Sequence, residues 1–112
     1  MAITEHASGT QSATINTTHT LNPTNPDSTD GVYQLVVDCN ALAAGDALEL
    51  SILESALSGG TQRLAHRATL HGVQSEPLYV SPPITLMHGW SMTLRQTAGT
   101  GRSFPWSIRK AG

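Results

Sequence analysis

Apolar and polar residues alternate along much of the chain with a period of two, which is typical of β-strands with one buried face. The stretch 32–39 has the clearest alternation, because it places Tyr33, Leu35, Val37 and Cys39 on one face. We expect Cys39 to be a small buried core residue there and not a reactive thiol. Similar short patterns predict strands at 62–70, 77–81, 84–86, 90–97 and 104–110.

Residues 47–54 alternate as well, but two interpretations compete here. A helix over 41–57 would also place several leucines on one side. We favour a strand, because the adjacent apolar pair Ile52 and Leu53 is compatible with a β-bulge. The Ser-Gly-Gly-Thr segment 58–61 would then form a hairpin connection into the next strand.

The first thirty residues have a different pattern, with eight threonines, three serines and two Asn-Pro steps. Residues 1–12 are predicted as an extended N-terminal arm and residues 13–112 as the folded domain. Within that domain, 13–21 is the expected first strand and 22–31 a loop, because proline cannot donate to a strand ladder. The first residues lack a basic and apolar leader, which predicts synthesis in the cytoplasm.

These elements predict an all-β fold, a single-domain β-sandwich or jelly-roll-like barrel of about seven or eight short strands. The segment 98–103 is expected to be a hairpin loop before the last strand. The alternation around Trp90 and Trp106 places both rings in the core. The competing interpretation is an exposed platform on which a sugar ring stacks.

Composition excludes several classes of function. The chain has 112 residues, of which only 12% are charged and 4% aromatic, and 25 are threonine or serine. Globular domains usually have about a quarter of charged residues. A net charge of −2 argues against a dedicated nucleic-acid binder. No apolar stretch approaches the length of a membrane-spanning helix, so we expect no membrane partner.

The charges are unevenly distributed along the chain. Seven acidic residues precede Arg63, whereas six basic residues and one acid, Glu76, occupy the rest. One interpretation is that complementary faces meet between subunits. The other is that strands from both halves interleave in one sheet and mix the charges.

Candidate chemistry is sparse. Two of the five histidines, His66 and His71, would point to opposite faces of a regular strand and so could not bind one metal ion together. The sequence has a single cysteine and no close cluster of histidine and cysteine, which argues against a structural zinc site. The glycines at 99–101 with Arg102 could offer donors to an anion, but a turn is the simpler interpretation. Hydrolase and phosphate-binding motifs are missing from the sequence. We therefore expect a protein that is not an enzyme and has no cofactor or metal.

Three segments carry a resemblance to a known family: AAGDALEL at 43–50, SGGT at 58–61 and above all RQTAGTGRSFPW at 95–106. Here the sequence resembles small β-rich structural proteins encoded by tailed bacteriophages and prophages. The resemblance covers roughly residues 31–110. It implies a virion structural role, best fitted by a head decoration (cement) protein. Such proteins bind the major capsid protein on the capsid exterior, often as homo-oligomers and in particular as trimers.

Two functions are therefore expected from the sequence. The first is capsid decoration by a protein made in the host cytoplasm and located on the virion. The alternative is a tail, neck or fibre-associated structural protein, with a carbohydrate-binding surface around one of the tryptophans. The expected interaction residues are Ile3, Thr4 and Glu5 in the arm, the outward-facing Arg63, Arg67 and Arg95, and Arg102 in the loop 98–103.

Overall fold

The computed structural model describes residues 2–111. Met1 and Gly112, which the predicted arm and domain include, lie outside the described residues. Between residues 2 and 111 the chain forms nine β-strands and no helix. They are β1 (Ile3–Ser12), β2 (His19–Thr20), β3 (Gly31–Asp38), β4 (Ala47–Ser55), β5 (Gln62–His71), β6 (Leu78–Val80), β7 (Ile84–Leu86), β8 (Ser91–Ala98) and β9 (Ser103–Ala111).

The strands form two antiparallel sheets. The first sheet has the order β1-β9-β3-β6, and β7 also pairs with β3. The second sheet has the order β2-β8-β4-β5. Since β6 and β7 pair with opposite ends of β3 and are separated by Pro82 and Pro83, they act as one interrupted strand. If β6 and β7 are counted as one strand, the fold has eight strands. The first pairs with the last, the second with the seventh, the third with the sixth and the fourth with the fifth, which is the jelly-roll pattern. The predicted all-β sandwich is confirmed.

The core fills the space between the inward faces of the two sheets. Cys39 and Trp90 are fully buried, as predicted, whereas Trp106 is half-buried and packs against the edge of the core. Burial, assisted by the Asp38 charge, raises the pKa of the Cys39 thiol to about 12. Each large apolar side chain that is buried in full contributes about 1.5–3 kcal/mol. The other fully buried large side chains are Tyr33, Leu35, Leu48, Leu50, Ile52, Leu86, Met92, Leu94, Gln96, Phe104 and Ile108.

The segment predicted as an N-terminal arm is part of the sandwich. Residues 3–12 form β1, which pairs with β9 from Ile3 opposite Ala111 to Ser12 opposite Ser103. The division into an arm at 1–12 and a domain at 13–112 is therefore wrong. The physical reason is that backbone pairing at a sheet edge needs no alternation of apolar side chains, and most side chains of β1 are exposed.

Two predicted local structures are corrected because the chain crosses between the sheets there. In the expected strand 13–21, only His19 and Thr20 are in a strand. Asn16 adopts a φ of 62° and the Thr17 amide donates to the Thr14 carbonyl, which makes a turn between β1 and β2. The segment 98–103 is likewise not a hairpin, because β8 lies in the second sheet and β9 in the first.

The competing helix over 41–57 is excluded, since residues 47–55 form β4 between β5 and β8. The register between β4 and β5 shifts opposite Ile52 and Leu53, but the extra residue is Ala65 of β5, so the bulge lies in the partner strand and not in the predicted pair. The pairing of β4 with β5 and β8 brings acidic residues of the first half of the chain next to basic residues of the second half. Glu49 lies opposite Arg95 in the neighbouring strand, with Nη1 and Oε1 3.9 Å apart.

Candidate functional site

The free edges of the two sheets differ in how well they are protected against pairing with another chain. The β2 edge has two residues, and the β6–β7 edge is broken by two prolines. The β5 edge carries Arg63 and Arg67 and a bulge. By contrast, β1 is ten residues long and carries one formal charge, Glu5, and no proline. It has a bulge near its start, at His6, but residues 7–12 pair with β9 without interruption. Charges, prolines and short length are the usual means of blocking an edge, so β1 is the least protected edge of the fold.

Three of the predicted interaction residues, Ile3, Thr4 and Glu5, are exposed at the start of β1. The Ile3 side chain is 65% exposed and borders an apolar hollow of about 260 Å³. Val32 and Ala111 lie in register with Ile3 across the first sheet and line the hollow together with Pro83. Gln34, Arg109 and Lys110 complete the lining. This end of the β1 edge thus combines unpaired strand backbone with an apolar recess.

A bulge in β1 turns His6 into the interior. The register with β9 shifts between Glu5 and Ala7, and His6 is the extra residue. Its Nε2 atom lies 2.8 Å from Oδ2 of Asp27. The imidazole also contacts the rings of Tyr33 and Trp90, at centroid distances of 5.2 and 5.5 Å. These contacts attach β1 to the loop before β3.

Asp27 is the centre of this cluster. Its backbone exchanges two hydrogen bonds with Trp90, of 2.9 and 2.8 Å, and Oδ1 accepts a hydrogen bond from the Thr29 amide. Burial by itself raises the pKa of the Asp27 carboxyl, but the hydrogen bonds from His6 and Thr29 outweigh it and the net pKa is lowered. The Tyr33 hydroxyl donates to the Thr29 carbonyl, and burial with the nearby acids raises the pKa of Tyr33 to about 12. The cluster has a structural role at this end of the sandwich.

A polar groove of about 300 Å³ crosses the outer face of the second sheet. Its centre is a row of residues in register on the four strands, Thr20, Thr93, Ser51 and Arg67. The structure brings Arg67 and Arg95 to the same groove, although they are 28 positions apart in the sequence. The outward direction predicted for both arginines is confirmed.

Arg102, by contrast, binds within the fold. Its Nε donates to Oδ2 of Asp46 at 2.8 Å, and the Asp46 side chain is only 2% exposed. The same carboxylate accepts backbone hydrogen bonds from Ala43, at 2.9 Å, and Thr100, at 3.3 Å. The Arg102 hydrogen bond, followed by the one from Ala43, lowers the pKa of Asp46.

Gln96 completes this structural network. The buried amide donates to the carbonyls of Ala98 and Thr100, and its oxygen accepts a hydrogen bond from the Arg102 amide. Two segments that carry the phage resemblance, 43–50 and 95–106, therefore meet at Asp46, Gln96 and Arg102. In this chain their polar residues hold the crossing loop in place.

The seven predicted interaction residues thus lie in separate places. Arg63 is exposed on β5 opposite Glu54, and it does not line the groove that holds Arg67 and Arg95. Sequence reasoning missed His6, Asp27 and the groove residue Glu49 as members of sites. No period or motif links residues 21 to 46 positions apart, so only the folded pairing brings them together.

The histidine, cysteine and acidic side chains of residues 2–111 form no group of three or more that could hold a metal ion. The same part of the chain has no helix with the length and apolar character needed to span a membrane. Comparison with protein families, with curated proteins and with solved structures found no match to this chain. The phage resemblance therefore stays a prediction.

Proposed function

We propose that this chain is a virion structural protein, a decoration (cement) protein that binds the major capsid protein on the outer surface of a phage head. The observation that carries the proposal is the β1 edge, the least protected of the fold, with its apolar hollow. The resemblance over residues 31–110 supports the same role. The proposal assigns no enzymatic activity and no cofactor to the chain.

Strand addition is the expected mode of contact. An extended segment of the capsid protein would pair with β1, and its backbone would supply the hydrogen bonds. Side chains of that segment would meet Ile3 and the hollow, which gives the contact its specificity. The side chains of Ala7, Ser8 and Thr10 are short and lose little conformational entropy when they are ordered. Repetition over a capsid lattice adds avidity to a contact that is weak for each copy.

The proposed assembly is a homo-oligomer, with a trimer favoured by the resemblance, made in the host cytoplasm and located on the capsid exterior. A jelly roll is an architecture used by viral capsid and lectin domains. Fold class by itself does not assign a function, so the contact surface needs a direct test.

The test compares lysine substitutions on two exposed edges. Thr10→Lys places a charge on β1, and Thr69→Lys places the same charge on β5, where threonine is also exposed. Undecorated heads of the encoding phage are incubated with each variant and sedimented, and bound protein is measured by densitometry. We expect Thr10→Lys to bind at least tenfold less and Thr69→Lys to saturate the heads like the natural sequence. Saturation by Thr10→Lys would show that β1 is not the contact.

Copy number separates the proposal from the tail, neck or fibre alternative. We expect hundreds of copies in a purified particle. A count of a few to tens of copies would overturn decoration and favour the alternative. The alternative included a carbohydrate-binding surface around one of the tryptophans. Trp90 cannot form such a surface, because its ring is fully buried and cannot stack on a ligand.

A further inference from the structure

The polar groove on the second sheet has the features of a ligand site that is separate from the β1 edge. Thr18 and Thr20 line one side of it and Arg67 the other, while Ser51 and Thr93 form its centre. Its volume of about 300 Å³ is at the lower end of the range of small-molecule pockets. Leu53 is the single apolar side chain among those that line it, so the ligand must be polar.

The two arginines leave hydrogen-bond donors free for a ligand. The Arg95 side chain is 41% exposed and its Nη1 is 3.9 Å from Oε1 of Glu49, too far for a hydrogen bond, so its terminal nitrogens can donate to a ligand. Its Nε is shielded from solvent and does not take part. Arg67 uses Nε to donate to the Ser51 hydroxyl, and its guanidinium forms no ion pair with a described carboxylate. A guanidinium with free donors binds a carboxylate in a bidentate manner.

The remaining groups limit the class of the anion. Glu49 lies in the same groove and can only accept hydrogen bonds, so it disfavours a polyanion such as a polyphosphate. The threonine hydroxyls and the Asn25 amide both donate and accept, which suits a ligand with many hydroxyl groups. Gln62 is already used within the fold, because its amide donates to the Gly89 carbonyl and accepts from the Ser91 hydroxyl. Two guanidinium groups and one carboxylate leave a charge of +1, which matches one carboxylate on the ligand.

We propose that the groove between Arg67 and Arg95 binds a saccharide that carries a carboxylate group, such as a uronic acid residue of a glycan. The carboxylate contacts the two guanidinium groups. The sugar hydroxyls donate to Glu49 and exchange hydrogen bonds with the threonine hydroxyls. This proposal is independent of capsid binding, because the groove and β1 belong to different sheets.

The test uses trigalacturonate and its methyl ester, which has the same shape without the charge. Each is titrated into the ¹⁵N-labelled full chain at pH 7, and the dissociation constant is obtained from amide shifts. We expect shifts that map to Thr20, Ser51 and Thr93, and affinity at least tenfold weaker for the ester. Equal affinity for acid and ester, or a lack of binding by both, would overturn the proposal. Inorganic phosphate bound as tightly as trigalacturonate would overturn its saccharide part.

Matched variants locate the contact. Arg67→Gln and Arg95→Gln are each expected to weaken trigalacturonate binding at least fivefold. Arg109→Gln, an exposed change on the first sheet, is the control and should leave the dissociation constant unchanged. Thermal unfolding of all three confirms that they fold. Binding that is unaffected by both groove variants would place the ligand elsewhere and refute the assignment.

Discussion

The Nε2 atom of His6 and the Oδ2 atom of Asp27 lie 2.8 Å apart, and this contact fixes the first strand of the fold to the loop before β3. The two side chains are 18% and 7% exposed, so water screens their interaction only in part. Together with the pairing of β1 with β9, the contact holds the start of the chain against the sandwich.

Replacing Asp27 should destabilise the fold in a pH-dependent way. The pKa of this carboxyl is lower in the folded state than its ordinary value of 3.8, so the unfolded state takes up the proton first as the pH falls. Its contribution to stability is therefore complete well above pH 4 and is lost as the pH falls through the folded-state pKa. We expect Asp27→Asn to lower the free energy of unfolding by about 1–3 kcal/mol at pH 7.

Urea unfolding at pH 7, 5 and 3 measures this effect. The difference between the natural sequence and Asp27→Asn should shrink between pH 5 and pH 3. Asp30→Asn, an exposed change in the same loop, is the control and should have little effect at any pH. A difference for Asp27→Asn that stays constant down to pH 3 would contradict the ionic role of the contact.

Gly99 and Gly45 provide a matched pair of glycine substitutions. Both have a left-handed backbone, with φ of 90° and 88°. An added Cβ at Gly45 meets open space, whereas at Gly99 it collides with the Asp46 carboxylate. We expect Gly45→Ala to cost about 1–2 kcal/mol from backbone strain. Gly99→Ala should cost about 1–3 kcal/mol more, because the Asp46–Arg102 pair must move. Equal costs in urea unfolding would mean that this pair is not rigid.

Cys39 should resist thiol reagents until the chain unfolds. Its side chain is fully buried, and its pKa of about 12 compares with an ordinary value of 9.0. Because the thiolate is the reactive form, labelling by a disulfide reagent at pH 8 should be at least about a hundredfold slower than in 6 M guanidinium. Equally fast labelling of the folded and unfolded chain would show that the end of β3 opens readily.

The sequence patterns located most strands, because apolar residues recur at every second position on the faces that form the core. Leu48, Leu50 and Ile52 in β4 are all buried, as the period of two requires. The same reasoning failed for β1, where Ser8 and Thr10 are exposed at an edge and give no apolar signal. Strand pairing at an edge leaves almost no trace in the side-chain pattern.

The long-range contacts of the candidate sites could not be predicted. The bulge at His6 and the meeting of Asp46 with Arg102 depend on which strands become neighbours, and the pairing order is not encoded in local periodicity. The outward direction of the Arg67 and Arg95 side chains could be predicted from the alternation along each strand alone. Their place in one groove required the order β8-β4-β5.

The strand order also determines when the fold can form during synthesis. In the first sheet β9 lies between β1 and β3, and in the second β8 lies between β2 and β4. A nascent chain that ends before residue 91 can make the β4–β5 hairpin and the pairing of β3 with β6 and β7, but it lacks the inner strand that joins each sheet together. Both sheets therefore form late, after the ribosome has made nearly the whole chain. Slow, all-or-none folding is expected for contacts so distant in sequence.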